Sequence, residues 1–280
     1  MSADSKTDLT ANDAPVVLVT GASAGFGQAT AKLLAARGFR VFGTSRKPKS
    51  DQPDFEWIVM DVDDDASVAA GIAAVLDRVG RIDVVLNNAG ISIVGSVEDM
   101  TIDEAKRQLE TNLFGVARVA RAVLPSMRGR GGGKIINVSS IGGLISLPFQ
   151  AYYCVSKFGV EALTEALRME LLPFGIKVCC IEPGDFKTDM TDNRMFAAAA
   201  HSPAYGTQMK KTVDSYSNDE RNGADPASFA QLVLKLIGEK DPKPRYMVGD
   251  VGQKAGGLLK RVMSARLFEK LMLQHCRIER

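Results

Sequence analysis

Tyr153 and Lys157 stand four residues apart in the stretch AYYCVSKFGV, Ala151 to Val160. On a helix, residues at this spacing share a face, which sets a phenol beside an ammonium and leaves the adjacent Tyr152 beside Ser156. A free phenol ionises near pH 10, too high for an efficient base at neutrality, and a neighbouring cation favours the phenolate. Tyr153 therefore reads as a group that hands a proton to, or takes one from, a reacting oxygen. Ser140 lies thirteen residues earlier, at the end of KIINVSS. Its hydroxyl can orient a carbonyl and stabilise the charge that develops on it, with Ser139 as its rival.

A second group of residues suits a phosphate-bearing ligand. TGASAGFG, with glycines at 21, 25 and 27, follows the apolar run VVLVT and opens the helical pattern ATAKLLAARG. A helix N-terminus carries unpaired N–H groups and partial positive charge, and glycines let the backbone approach a pyrophosphate. Strand, glycine turn and helix together form the context a dinucleotide site needs. A phosphate-cleaving loop would require Gly-Lys-Ser/Thr, whereas this loop continues GFGQAT.

These residues need a frame, and the hydrophobic pattern supplies one. Short β-branched runs (VVLVT, RVFGTS, FEWIVMDV, DVVLNNAG, KIINVSS, IKVCCIEPG) alternate with helical stretches at 66–79, about 102–127 and about 153–172. Parallel neighbours require a helical crossover, so the alternation predicts an α/β, doubly wound parallel sheet flanked by helices, in one domain over 15–280. Residues 1–14 read as a flexible polar tail. After the sixth strand the rhythm breaks, and 185–220 is expected to be an irregular substrate lid. A helix near 226–237 and a strand at RYMVG follow. The segment 257–274 then reads as a basic amphipathic helix, with Leu259, Val262, Met263, Leu267 and Leu271 on one face. It could pack on its own domain, meet another subunit or lie on a membrane.

Taken together, TGASAGFG, NNAG (Asn87 to Gly90), Asn112, Ser140, YCVSK (Tyr153 to Lys157) and Pro183–Gly184 resemble the short-chain dehydrogenase/reductase family in order and spacing over about 16–188. The stretch GGLISLPFQAYYCVSKFGVEAL is similar to the branch containing hydroxysteroid and retinol dehydrogenases. The resemblance implies a Rossmann-like fold, and a catalytic set of Asn112, Ser140, Tyr153 and Lys157. Its spacing selects Ser140 over Ser139. It also gives Lys157 a hold on the nicotinamide ribose and has Asn112 position a water linking Lys157 to solvent. The cofactor set implied is Gly21, Ser23, Gly25, Phe26, Gly27, Arg46, Asp61, Val62, Asn88, Ala89, Gly90, Tyr153, Lys157, Pro183, Gly184 and Thr188. Assembly as a homodimer or homotetramer, through the helices starting near Asn112 and Tyr153, is implied as well.

The second strand ends FGTSRKP, with no carboxylate at Thr44 or Ser45 to receive ribose hydroxyls and a guanidinium at Arg46 for an extra phosphate, so NADP(H) is favoured over NAD(H). The substrate is expected to be a lipophilic ketone, aldehyde or alcohol, steroid-, retinoid- or lipid-like. Its pocket draws on Ile91, Ile93, Val94, Gly143, Leu144, Leu147, Phe149, Phe186, Met190, Met195 and Phe196. A silent NADP(H)-binding sensor on the same fold is the alternative reading. With 35 basic against 33 acidic residues and no basic run interleaved with aromatics, nucleic acid is not expected as a partner. The four cysteines lack metal-ligand spacing, His201 and His275 belong to no motif, and no secretory signal is evident. A cytoplasmic location with no metal site is expected.

Overall fold

The computed structural model describes residues 14–48, 54–250, 257, 259–260 and 262–278. The polar tail falls almost wholly outside these residues. Ala14, counted with that tail, is buried, and its carbonyl accepts from Arg81 Nη2 at 2.9 Å.

Seven strands form one parallel sheet: β1 (Val16–Val19), β2 (Arg40–Ser45), β3 (Glu56–Val59), β4 (Val84–Asn87), β6 (Gly133–Val138), β7 (Ile176–Pro183) and β9 (Arg245–Val248). Their order is β3-β2-β1-β4-β6-β7-β9. The helices are α1 (Gly25–Ala36), α2 (Asp65–Val79), α3 (Ile102–Leu109), α4 (Gly115–Gly129), α5 (Ala151–Glu170), α6 (Gly206–Arg221), α7 (Pro226–Gly238) and α8 (Ala265–His275). Alternate residues of each strand feed opposite faces. Val16, Leu18, Val85, Ile135 and Val178 pack on α2 and α4 through Val68, Ile72, Val119 and Val123. Val17, Val19, Leu86, Ile136 and Ile181 pack on α1 and α7 through Leu34, Phe229 and Val233. The sheet is buried on both sides, which is why its strands read as continuous apolar runs. Strand order reverses between β1 and β4, and in such sheets ligands bind outside the carboxyl ends at that switch point.

Three features differ from the sequence expectation. The helix expected over 102–127 is interrupted by a π turn, Glu110–Phe114, which contains Asn112. Such a turn inserts an extra residue and re-aims the side chains around it. The lid expected to be irregular holds a strand, β8 (Met195–Phe196), and nearly the whole of α6. β8 pairs in parallel with β5 (Ile93–Val94), tying the lid to the chain just after NNAG. Each partner has only two residues, too short for any sequence pattern. Lastly, the C-terminal helix is not continuous: residues 257, 259–260 and 262 are helical, Met263–Ser264 break the run, and α8 follows. No residue of α8 is buried, and its anchor is the buried Cys276 beyond it. No helix among the described residues is long and apolar enough to cross a membrane.

Candidate active site

At the switch point Thr20 follows β1 and pins the turn after β4. Its Oγ1 accepts from the N–H groups of Asn88 (2.9 Å) and Ala89 (3.0 Å). Asn88 answers by donating Nδ2 to the carbonyls of Thr20 (2.8 Å) and Gly21 (3.2 Å), so its side chain clamps the glycine loop. Gly25 has φ +51°, a left-handed conformation that glycine adopts at least cost. At Gly27 a Cβ would lie 2.4 Å from the Gly21 carbonyl oxygen, so only glycine lets α1 start this close to the loop. Gly27 sets that approach and does not line the cleft, whereas Gly21, Ser23, Gly25, Phe26, Arg46, Asp61, Val62, Asn88, Ala89, Gly90 and Thr188 all line one cavity of about 280 Å³.

The walls of that cavity include groups the sequence reading passed over. Asp63 lines it, accepts from Thr111 Oγ1 at 2.9 Å, and has its carboxyl pushed above the usual range by burial. Asp61 accepts the Asp63 N–H at 3.1 Å, so it closes a turn as well as facing the cavity. Arg46 is exposed at the rim, with no hydrogen bond or ion pair among the described residues. Asp189, from the lid, accepts the Gly25 N–H at 3.3 Å, placing a carboxylate at the anion-attracting start of α1. The fit to a dinucleotide is good: a glycine cradle at a helix start, an apolar flank at Val62, and a cation at the rim. Phe26 does not stand free, because its ring stacks on Phe229 (4.2 Å) and meets Phe186 edge-on (4.9 Å).

Next to this cavity α5 presents Tyr153 and Lys157, both buried. Lys157 Nζ donates to the Val138 carbonyl at 3.0 Å and lies 5.7 Å from the centre of the Tyr153 ring. Burial pulls Lys157 down to about 8 and pushes Tyr153 up to about 12, the Ser140 side chain pulling Tyr153 the other way. The spacing argument has the lysine bringing the phenol toward neutrality. Here loss of water is the largest influence on the phenol and acts in the opposite direction. Ser140 caps the short turn Ile141–Gly143 and accepts the Gly142 N–H at 3.0 Å. Ser139 donates its hydroxyl to the Lys157 carbonyl at 3.4 Å, a contact that braces α5. Asn112 does not line the cavity. Its Oδ1 accepts the Ile91 N–H (2.8 Å), and its Nδ2 donates to the Ile91 carbonyl (3.0 Å) and to Ser156 Oγ (3.1 Å). The π turn thus aims Asn112 to lock the chain after NNAG against α5. Ser156 serves that lock, while Tyr152 packs in the cluster of Ile93, Val94 and Met100.

Residues 15–197 match the short chain dehydrogenase family. The chain belongs to this family. It is 41% identical over 85% of its length to 3-ketodihydrosphingosine reductase of Bacteroides thetaiotaomicron, 89% of which is covered. A crystal structure of a short-chain dehydrogenase from Streptomyces avermitilis superposes with TM-score 0.81 at 35% identity, covering 92% of this chain and 97% of that one. Actinorhodin polyketide ketoreductase, solved as a single-residue variant with NADPH, superposes with TM-score 0.73 at 29% identity, covering 86% and 97%. This short-chain dehydrogenase is accordingly an oxidoreductase acting between CH–OH and C=O groups, on a Rossmann-like single domain of a family that binds NAD(P)(H).

The dehydrogenase has a second cavity, of about 710 Å³, opening from the first and lined by Ser140, Tyr153, Lys157, Pro183, Gly184 and Thr188. Of the apolar residues expected there, Ile91, Leu147, Phe186 and Met190 contribute. Ile93 and Val94 are instead buried in a separate cluster, and Phe196 is nearly half exposed. Ile141, Ile145, Tyr216 and Met272 complete the apolar wall. A polar wall is formed by the lid and α6. There Arg194, its side chain only 4% exposed, donates to Ser217 (2.8 Å) and Glu220 (2.5 Å), and Glu220 also accepts from Thr191 (2.6 Å). The tail supplies Met272 and His275, and beyond them Tyr216 donates to Cys276 Sγ at 2.9 Å. These contacts join residues far apart in the chain, and no local spacing marks them.

Proposed function

We propose that the protein reduces a ketone on a lipid-like substrate using NADPH. The observation that carries this reading is the buried phenol of Tyr153, which lines the large cavity together with Ser140 and Lys157. When bound, the dinucleotide supplies the hydride. The chain does the rest: Ser140 holds the carbonyl oxygen, and Tyr153 gives its proton to the alkoxide as it forms. Lys157, fixed on the Val138 carbonyl, holds a proton beside the buried phenol. A phenol is protonated at neutral pH and can donate in reduction, and the same group takes the proton back in oxidation.

Support for the extra phosphate comes from Arg46 at the rim, with Ser23 in the same cavity and no carboxylate at the end of β2. Support for a lipid-like ketone comes from the apolar wall, and from the likeness to a relative named as a reductase of a ketodihydrosphingosine. Pairing of two copies through α4 and α5 fits the exposed Phe114, Val155 and Met169. The test is a panel of long-chain ketones with NADPH and NADH, following loss of the reduced cofactor. Turnover with a clear NADPH preference is expected; a preference for NADH, or no turnover with any ketone, overturns the reading.

A further inference from the structure

The cavity holds one polar group that the ketone chemistry leaves unused. Gln150 immediately precedes α5, three residues before Tyr153, and lines the same cavity. It is 4% exposed. Its backbone is tied at both ends, its N–H donating to Leu147 (3.2 Å) and its carbonyl accepting from Cys154 (2.9 Å). Its side chain neither caps the helix nor makes any hydrogen bond among the described residues. The side chain lines the cavity, so its two N–H donors and its carbonyl acceptor are open to a ligand there. The residue before it is also unusual. Phe149 has φ +62°, a left-handed conformation disfavoured for a bulky side chain. Phe149 is held there by packing beside Ile93 and Val94 and by its carbonyl, which accepts the Gly95 N–H at 3.0 Å. Strain of this kind concentrates at ligand sites.

We propose that Gln150 is a specificity residue, its amide hydrogen-bonding a polar substituent on the carbon next to, or one beyond, the reacting carbonyl. Residues three apart at a helix start share a face with Cβ atoms about 5–6 Å apart, so the amide and the phenol reach neighbouring atoms of one ligand. The chemical class is a ketone bearing a hydroxyl, amino, ester or amide group close to the carbonyl, with its apolar chain along Ile145, Leu147 and Met272. An isolated ketone in a hydrocarbon frame, as in a simple steroid, leaves the amide unpaired. The inference rests on the ketone-reductase reading of the same site and narrows it.

The test uses a long-chain methyl ketone and the hydroxymethyl ketone of equal chain length. With NADPH the wild type is expected to prefer the hydroxymethyl ketone by about tenfold or more in kcat/KM, mostly through KM, as one well-made hydrogen bond gives. Gln150→Leu should bring the two within about twofold by raising KM only for the hydroxymethyl ketone, with Tm unchanged. No preference in the wild type, a preference that survives in Gln150→Leu, or equal loss on both ketones with a lower Tm overturns the proposal. The same ratio is read without turnover, from calorimetric Kd values on NADPH-saturated Tyr153→Phe protein. If no ketone is reduced, the reductase reading fails by itself, and binding decides for Gln150: a retained preference supports it and equal affinities sink it.

Discussion

The two cavities are built by opposite means. The smaller one is made mostly of turns: the glycine turn, the NNAG turn and the segments after β2 and β3, held by Thr20 and Asn88, with Thr188 and Asp189 against them. The larger one is made of side chains from the start of α5, the lid, α6 and α8, elements that meet only in three dimensions. A ligand site of turns can be written in a short stretch of chain, because each turn demands particular residues at fixed offsets. A site of distant side chains leaves no such trace.

The sharpest test lies on the seam between them. Tyr153→Phe should lower turnover by about 10²–10⁴-fold, the range for a lost general acid, while calorimetry finds NADPH binding intact. Tyr152→Phe, which changes only the packing beside Ile93 and Met100, should retain measurable activity; equal loss in both would erase the distinction between the tyrosines. Next in size, Arg194→Ala should act on the side-chain cavity alone. It leaves Glu220 without its cation and removes a guanidinium that is only 4% exposed, at a cost of about 3 kcal/mol in chemical denaturation, with KM raised for ketone and not for NADPH.

Arg46→Ala should act on the cavity of turns alone, weakening NADPH by about tenfold, the scale of one charge-assisted hydrogen bond, and sparing NADH and ketone. The smallest effect is on stability against pH. Lys157 is held near 8 in the folded protein against an ordinary 10.5, so between those values the unfolded chain binds the extra proton and stability rises with pH. Tyr153, raised to about 12 from 10, works in the reverse sense, and stability falls as pH climbs through that interval. Lys157→Met should therefore melt a few degrees above the wild type near neutral pH, with the gap closing toward about pH 10. A gap that does not change with pH would mean that the lysine is not desolvated.

The seam also marks where reading the chain from its sequence succeeded. All seven strands of the sheet were legible, because burial on both faces makes most of them continuous apolar runs. So was the glycine loop, since its conformation restricts residue type. Asn112 was singled out by motif order, but it lines neither cavity and its contacts were not legible. The π turn that aims it has no periodic signature, and its partners are the backbone of Ile91 and the Ser156 hydroxyl. The ionisation of Tyr153 went the other way from the spacing argument, because four residues on a helix specify adjacency and say nothing about how much water is removed. Arg194 with Glu220, and the unpaired Gln150, emerge only once the lid, α6 and the start of α5 are assembled around one space.

The anchoring of the tail bears on the shape of the large cavity. Arg277 offers its carbonyl to Gln208 at 2.9 Å, Cys276 sits beneath Tyr216, and Met272 and His275 face the large cavity. The last turns of the chain are thus one wall of the chamber. Removing residues 272–277 would open that wall, and a substitution at Met272 or Cys276 would reshape the chamber from a distance in sequence of more than a hundred residues from Tyr153.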